Sequence, residues 1–264
     1  LFREGLPIFG KVSVRDFLFG MEWYPTYDPP SFGIFPLIVG SLVVTLFATV
    51  IAVPLGVMAA IYIAEIAPQA IRETLKSVIE LLAGLPSVVL GFFGMVIIAP
   101  WMQDTFDLPT GLNIVNASVI LAIMAIPTIS SMSEDALYAV PREFKEASYA
   151  LGATKFETII KVILPAAISG ISTAVMLGMA RAIGETMVVL MVAGGAAAIP
   201  ESLFDSVRPM PASIAAEMGE TPYGSAHYQA LFAIGIVLFF LTLTFNLIAD
   251  YVSHKFRQIG SGTL

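Results

Sequence analysis

Two ionisable residues stand inside an apolar run. Arg181 and Glu185 lie four positions apart in residues 166–194, a stretch otherwise dominated by Ala, Gly, Ile, Met and Val. A guanidinium is always charged and offers a fork of donors that matches an oxyanion. A carboxylate at i+4 shares its helix face and can pair with it. Each charge costs about 2.5–3.5 kcal/mol in a bilayer core, so such residues face a cavity or the bundle interior rather than lipid. No other charge sits this deep. The pair either meets an anion, with Glu185 holding Arg181 and weakening its grip so that the anion can leave, or locks two helices together. Other chemistry is scarce. There is no Cys, which excludes thiolate metal sites and disulfides, and the two His, His227 and His254, are far apart. No nucleophile–base constellation or metal-ligand cluster appears, so neither an enzyme nor a cofactor or metal is expected. No G-x-x-x-x-G-K-[ST] loop occurs either, so any ATP hydrolysis belongs to another polypeptide.

The elements that position these residues are membrane helices. Hydrophobic residues make up 57% of the 264 and charged residues 12%, about half the charge of a soluble domain. That supply cannot cover a globule of this size, so lipid is the solvent. The net charge of −7 argues against nucleic acid. Five runs reach the roughly 20 apolar residues that a spanning helix needs: about 37–64, 78–101, 117–137, 166–194 and 228–252. None alternates with period two, which argues against a β-barrel. Gly and Pro recur inside them, at Pro54, Gly56, Gly84, Pro86 and Pro127, as a membrane bundle tolerates. The fold class is all-α, a polytopic transmembrane helical bundle, with 1–264 one transmembrane domain.

Basic residues orient it. Segments 66–77, 138–165 and the tail hold Arg72, Lys76, Arg142, Lys145, Lys155, Lys161, Lys255 and Arg257. Segments 1–36, 102–116 and 195–227 hold Arg3, Lys11, Arg15 and Arg208 in a longer total length. The first set is cytoplasmic, including the C-terminus. An external start with no export signal predicts one further span preceding Leu1.

The longest cytoplasmic segment, 138–165, predicts two short helices. Pro141 suits a first turn, and Phe144, Ala147 and Leu151 fall on one face at i, i+3 and i+7. Gly152 is placed to end the helix in the left-handed conformation. Thr154 and Glu157 form a capping box for a second helix with apolar face Phe156, Ile159, Ile160 and Ile163. By pattern alone this elbow is equally a loop packed on the bundle or a lever for a partner.

The spacing Glu146-Ala147-Ser148, three residues, Gly152, nine residues, Val162-Ile163-Leu164-Pro165 resembles the EAA signature of ABC importer permeases. Ser148 and Val162 are mild departures. The resemblance implies an elbow that docks in a cleft of a nucleotide-binding subunit, with Glu146, Ala147, Gly152, Leu164 and Pro165 as coupling residues. The stretch Ala180-Arg181-Ala182-Ile183-Gly184-Glu185-Thr186-Met187 resembles the phosphate importer permeases of the PstC type, as do Ile214–Glu217, Gly224–Leu231 and Asn246–Ile248. It implies inorganic phosphate as substrate, two copies of an ATP-binding subunit, a second homologous permease subunit and an external phosphate-binding protein. Sulfate or molybdate remains an alternative cargo, and a channel or ion-coupled carrier gated by Arg181 and Glu185 a more distant one.

Outside the membrane, Phe17, Phe19, Trp23, Tyr24 and Tyr27 suggest an interfacial aromatic belt, with docking of the binding protein as the alternative. Glu201, Asp205, Glu217 and Glu220 read as a solvated acidic face, and His227 as an interface residue.

Overall fold

The computed structural model describes residues 1–261, with Ala249 and 252–261 described by backbone alone. The side chains of Lys255 and Arg257, counted above for orientation, lie outside the described residues. Among the described residues five helices are long and apolar enough to cross a membrane: Phe35–Ile66, Ser87–Phe106, Ile114–Tyr138, Lys155–Ile183 and Ala226–Ile248. These are the first to fifth spans. The one sheet among the described residues is a two-stranded ladder, Trp23–Tyr24 against Ser31–Phe32.

Two boundaries differ from expectation, each for a local reason. The second span starts at Ser87, after Pro86 as its N-cap, and the preceding residues form a separate helix Gln69–Ala83 ended by Gly84. That helix carries Arg72, Glu73, Lys76 and Glu80 along one amphipathic segment, which hydrocarbon would not accept. The fourth span runs from Lys155 to Ile183 rather than over 166–194, so the second elbow helix continues into it. Met187–Val192 is a separate short helix, and Glu185 Oε1 accepts from its first backbone amides, Met187 N at 3.1 Å and Val188 N at 3.4 Å.

Proline explains three wide turns. Tyr62–Ile66, Gly94–Ile98 and Ile159–Ile163 are π-helical, and each ends two residues before a proline: Pro68, Pro100 and Pro165. A proline cannot donate to the carbonyl four residues back, and its ring clashes with it. In each case the residue before the proline bonds five back instead: Ala67 N to Tyr62 O, Ala99 N to Gly94 O and Leu164 N to Ile159 O. At Pro100 and Pro165 the widened turn lets the chain pass the proline without leaving the helix, whereas at Pro68 the backbone becomes extended at Ala67 and a new helix starts at Gln69. At Pro68 the carbonyls of Ile63 and Ala64 are then taken by Arg72, through Nε at 2.9 Å and Nη2 at 3.2 Å.

The chain forms two compact units. The first comprises Leu1–Ala48, Pro86–Leu121 and Ala182–Leu243. Its core joins Ile8, Phe17, Trp23, Phe32, Ile34 and Leu37 to Met210, Ala230, Leu231 and Ile234. The aromatic-belt reading of the N-terminal segment therefore needs correction. Phe17 and Trp23 are buried in a folded cap, while Phe19, Tyr24 and Tyr27 remain exposed. The indole and phenyl faces find more apolar contact in that core than at an interface.

The second unit comprises Thr49–Leu85, Ala122–Arg181 and Thr244–Leu264. Its helices approach closely at small residues. A Cβ on Gly56 or Gly178 would fall 2.8 or 2.6 Å from Ile129, and one on Gly170 2.4 Å from Ala136. Close backbone approach is what drives helix association where lipid removes the hydrophobic incentive. All the formal net charge belongs to the first unit, which has eleven Asp/Glu against four Lys/Arg; the second has nine of each.

Candidate functional site

The elbow is built as its sequence prescribes. Its first helix is Arg142–Ala150 with Pro141 as N-cap, and Glu143 lies in the first turn, near the positive end of the helix dipole. Gly152 turns the chain with φ +82, in the left-handed region where a Cβ is strained. Thr154 opens the second helix with a full capping box: Glu157 N donates to Thr154 Oγ1 at 3.3 Å, and Thr154 N to Glu157 Oε2 at 3.0 Å. The bend is pinned from inside by a buried hydroxyl pair, Ser148 Oγ and Thr158 Oγ1, 2.9 Å apart. Ser148, one of the two departures from the EAA pattern, thus has a role that Ala would not fill.

The two apolar stripes have different fates. Ile159 and Ile163 enter a core with Ala60, Leu137, Val140 and Ile171, while Phe156 and Ile160 of the same helix stay exposed. The other stripe is uncovered. Phe144 is 54% and Leu151 90% exposed. With Ala147, Gly152 and Val162 they line a groove of ≈560 Å³. Glu146 is exposed beside it, Leu164 is partly buried, and Pro165 is exposed.

A set of ion pairs braces the elbow, and sequence reasoning missed it. Lys145 Nζ pairs with the nearly buried Glu65 at 2.5 Å. Lys76 Nζ pairs with Glu134, 4% exposed, at 2.9 Å. Arg72 and Lys76 both lie over the Tyr138 ring, 5.4 and 5.8 Å from its centroid. The hydrogen bond to Glu134 raises the Lys76 pKa above the ordinary lysine value, against an opposing effect of desolvation. That contribution to stability is complete at neutral pH and is lost only as pH rises through the raised lysine pKa. The detectable signal was an ionisable residue, Glu134, near the end of an apolar run.

Arg181 is exposed, and its Nη1 donates to Thr128 Oγ1 at 3.4 Å. The expected Arg181–Glu185 pairing does not follow from the fold. It needed a helix running through both, and the helix ends at Ile183. Gly184 breaks it, and the Glu185 carboxylate caps Met187–Val192 instead.

A second constellation escaped the sequence reading. Glu217 is a half-buried hub: Trp23 Nε1 donates to both its oxygens at 3.1 Å, and Arg208 Nη1 to Oε1 at 2.7 Å. His227 Nε2 lies 2.6 Å from Oε2. Arg208 Nε also donates to Gly195 O at 2.7 Å. The hub joins the N-terminal cap, the helix Met210–Glu217 and the start of the fifth span. Glu217 is thus not part of a solvated face, and His227 is a carboxylate partner.

The comparisons with known proteins agree with this architecture. The chain is 42% identical over 92% of its length, and 79% of the relative's, to the probable ABC transporter permease protein YqgH of Bacillus subtilis. It is 36% identical to the phosphate transport system permease protein PstC of Pasteurella multocida, over 87% of this chain and 78% of that one. Among solved structures it matches the inward-facing MetNI methionine ABC transporter with TM-score 0.62 at 23% identity, covering 85% of this chain and 94% of that one. A bacterial alginate ABC transporter matches with TM-score 0.62 at 13% identity, covering 83% and 78%. Residues 52–258 match the family model of the binding-protein-dependent transport system inner membrane component, and the chain belongs to that family of multi-pass ABC importer permeases.

Proposed function

We propose that this chain is the membrane-spanning permease subunit of an ATP-driven importer that carries inorganic phosphate. The observation that carries the ATP-driven part is the elbow. A rigid bend at Gly152 presents Phe144 and Leu151 to solvent, uncovered by the rest of the chain. Exposed apolar patches mark docking surfaces, and a lever needs both a fixed bend and an outward face. The partner is a separate ATP-binding subunit in two copies, one for this elbow and one for that of a second homologous permease subunit. The coupling residues are Glu146, Ala147, Gly152, Leu164 and Pro165. Hydrolysis belongs to the partner, and this chain converts it into re-orientation of the helices by alternating access.

Phosphate is supported by two facts: relatives named for phosphate transport are 34% and 36% identical to this chain, and Arg181 stands exposed within a span. Arg181 contacts the anion. Glu185 shapes the same stretch by fixing the helix start at Met187, rather than by holding the guanidinium. The elbow and the C-terminus face the cytoplasm; segments 1–36 and 195–227 face outward, and 1–264 acts as one permease domain. The first unit, with its excess of acid, discourages free anions, so delivery depends on an external phosphate-binding protein.

Labelled-phosphate uptake by the assembled importer, with unlabelled phosphate or sulfate as competitor, tests the cargo. Uptake blocked by phosphate and untouched by sulfate is expected, and Arg181→Gln abolishes it while the complex still assembles. Equal competition by sulfate, or normal uptake in Arg181→Gln, contradicts the reading.

A further inference from the structure

Arg181 is anchored near one end of the fourth span, two residues before Ile183. Helical side chains lean toward the N-terminus of their own helix. The guanidinium accordingly reaches back along the span to the Thr128 hydroxyl. Thr128 lies ten residues before the end of the third span at Tyr138, or about 15 Å at 1.5 Å per residue. On that helix Ser131 and Asp135 follow at i+3 and i+7, on the same face. Both are exposed, whereas the neighbouring Ser130, Ser133 and Glu134 are buried. Thr128 itself is half-buried, Arg181 is exposed, and all four residues belong to the second unit. A spanning helix does not present a guanidinium, two hydroxyls and a carboxylate to hydrocarbon. The rest of the unit covers Thr128 in part and leaves Ser131, Asp135 and Arg181 exposed. The remaining surroundings are water or another subunit.

We propose that Thr128 and Ser131, together with Arg181, form a hydrated track for a tetrahedral oxyanion on this face of the third span. This rests on the reading of Arg181 as the anion contact. Thr128 Oγ1 accepts from Arg181, which leaves its O–H free to donate to the same anion. It thereby takes the positioning role that Glu185 does not fill. Ser131 offers a second hydroxyl one turn further on. Asp135, another turn along, places negative charge at the end of the track, where an oxyanion cannot rest.

The absence of Cys from the chain makes single-cysteine reporters clean. In the assembled importer in membrane vesicles, Ser131→Cys should react with a charged, water-soluble thiol reagent at many times the rate of Phe92→Cys, a 55% exposed position on the second span. Inorganic phosphate should slow that reaction several-fold. Thr128→Val should raise KM for phosphate uptake about tenfold with little change in maximal rate, the loss expected of one hydrogen bond to a charged group, and Thr128→Ser should restore it. Labelling at Ser131→Cys as slow as at Phe92→Cys means that another subunit or lipid covers the face, and overturns the track. Fast labelling indifferent to phosphate overturns it as an anion site. Normal uptake in Arg181→Gln with phosphate protection intact at Ser131→Cys would remove Arg181 from the reading and leave the hydroxyl track standing.

Discussion

The elbow and the Glu217 hub are both built where helices meet at a chain turn, and they are built in opposite ways. The hub closes on itself. Its carboxylate takes donors from Trp23, Arg208 and His227, and Trp23 is 2% exposed. The elbow satisfies its polar groups internally, through the capping box and the Ser148–Thr158 pair, but leaves Leu151 90% and Phe156 70% exposed. Within one chain, a tie consumes its hydrogen-bonding capacity and hides its aromatic. A docking surface keeps its backbone rigid and its apolar side chains uncovered. That difference assigns the first to structure and the second to a partner.

The contrast can be broken most sharply at the elbow groove. Replacing both Phe144 and Leu151 by Asp should abolish co-purification with the ATP-binding subunit and leave the melting temperature of the isolated permease unchanged, since neither side chain is buried in it. A large fall in melting temperature would show that the stripe belongs to the bundle after all. At the hub the expectation reverses. Glu217→Ala leaves the Trp23, Arg208 and His227 donors without their acceptor and should destabilise the protein by about 2–3 kcal/mol, read by denaturant unfolding, while ATP-binding subunit recruitment persists. Lys76→Met leaves the buried Glu134 without its cation. Because the Lys76 side chain is 43% exposed, solvent screens the pair, and the expected loss is smaller, about 1–2 kcal/mol. Smallest is Ser148→Ala, which orphans the Thr158 hydroxyl for about 1 kcal/mol. Adding Thr158→Val should recover most of that loss, because removing both partners leaves nothing unpaired; the double-mutant cycle by thermal unfolding checks it.

How much was legible in the sequence follows from the range of the interactions. The elbow could be read because its capping box, Gly152 and apolar stripe are local, and the stripe is left exposed by the rest of the chain. The first, third and fifth spans stood out as apolar runs close to their observed limits, while the second was expected to start at 78 and starts at Ser87. The fourth span was misplaced because Gly184 and Glu185 end the helix inside an apolar stretch, where hydrophobicity carries no punctuation. The same misplacement produced the expected Arg181–Glu185 pair. The hub was invisible because Trp23 and Glu217 are 194 residues apart, and nothing local distinguishes Glu217 from its exposed neighbour Glu220. The π turns were readable in principle. Each precedes a proline by two residues, but proline alone does not tell whether the helix stops, as at Pro68, or widens and continues, as at Pro100 and Pro165.

The most direct measurement is site-directed cross-linking in the assembled importer, comparing Leu151→Cys in the elbow with Tyr223→Cys, 81% exposed in the first unit. The account predicts that Leu151→Cys cross-links to the ATP-binding subunit and that Tyr223→Cys does not. No cross-link from Leu151→Cys, or an equal one from Tyr223→Cys, would contradict it.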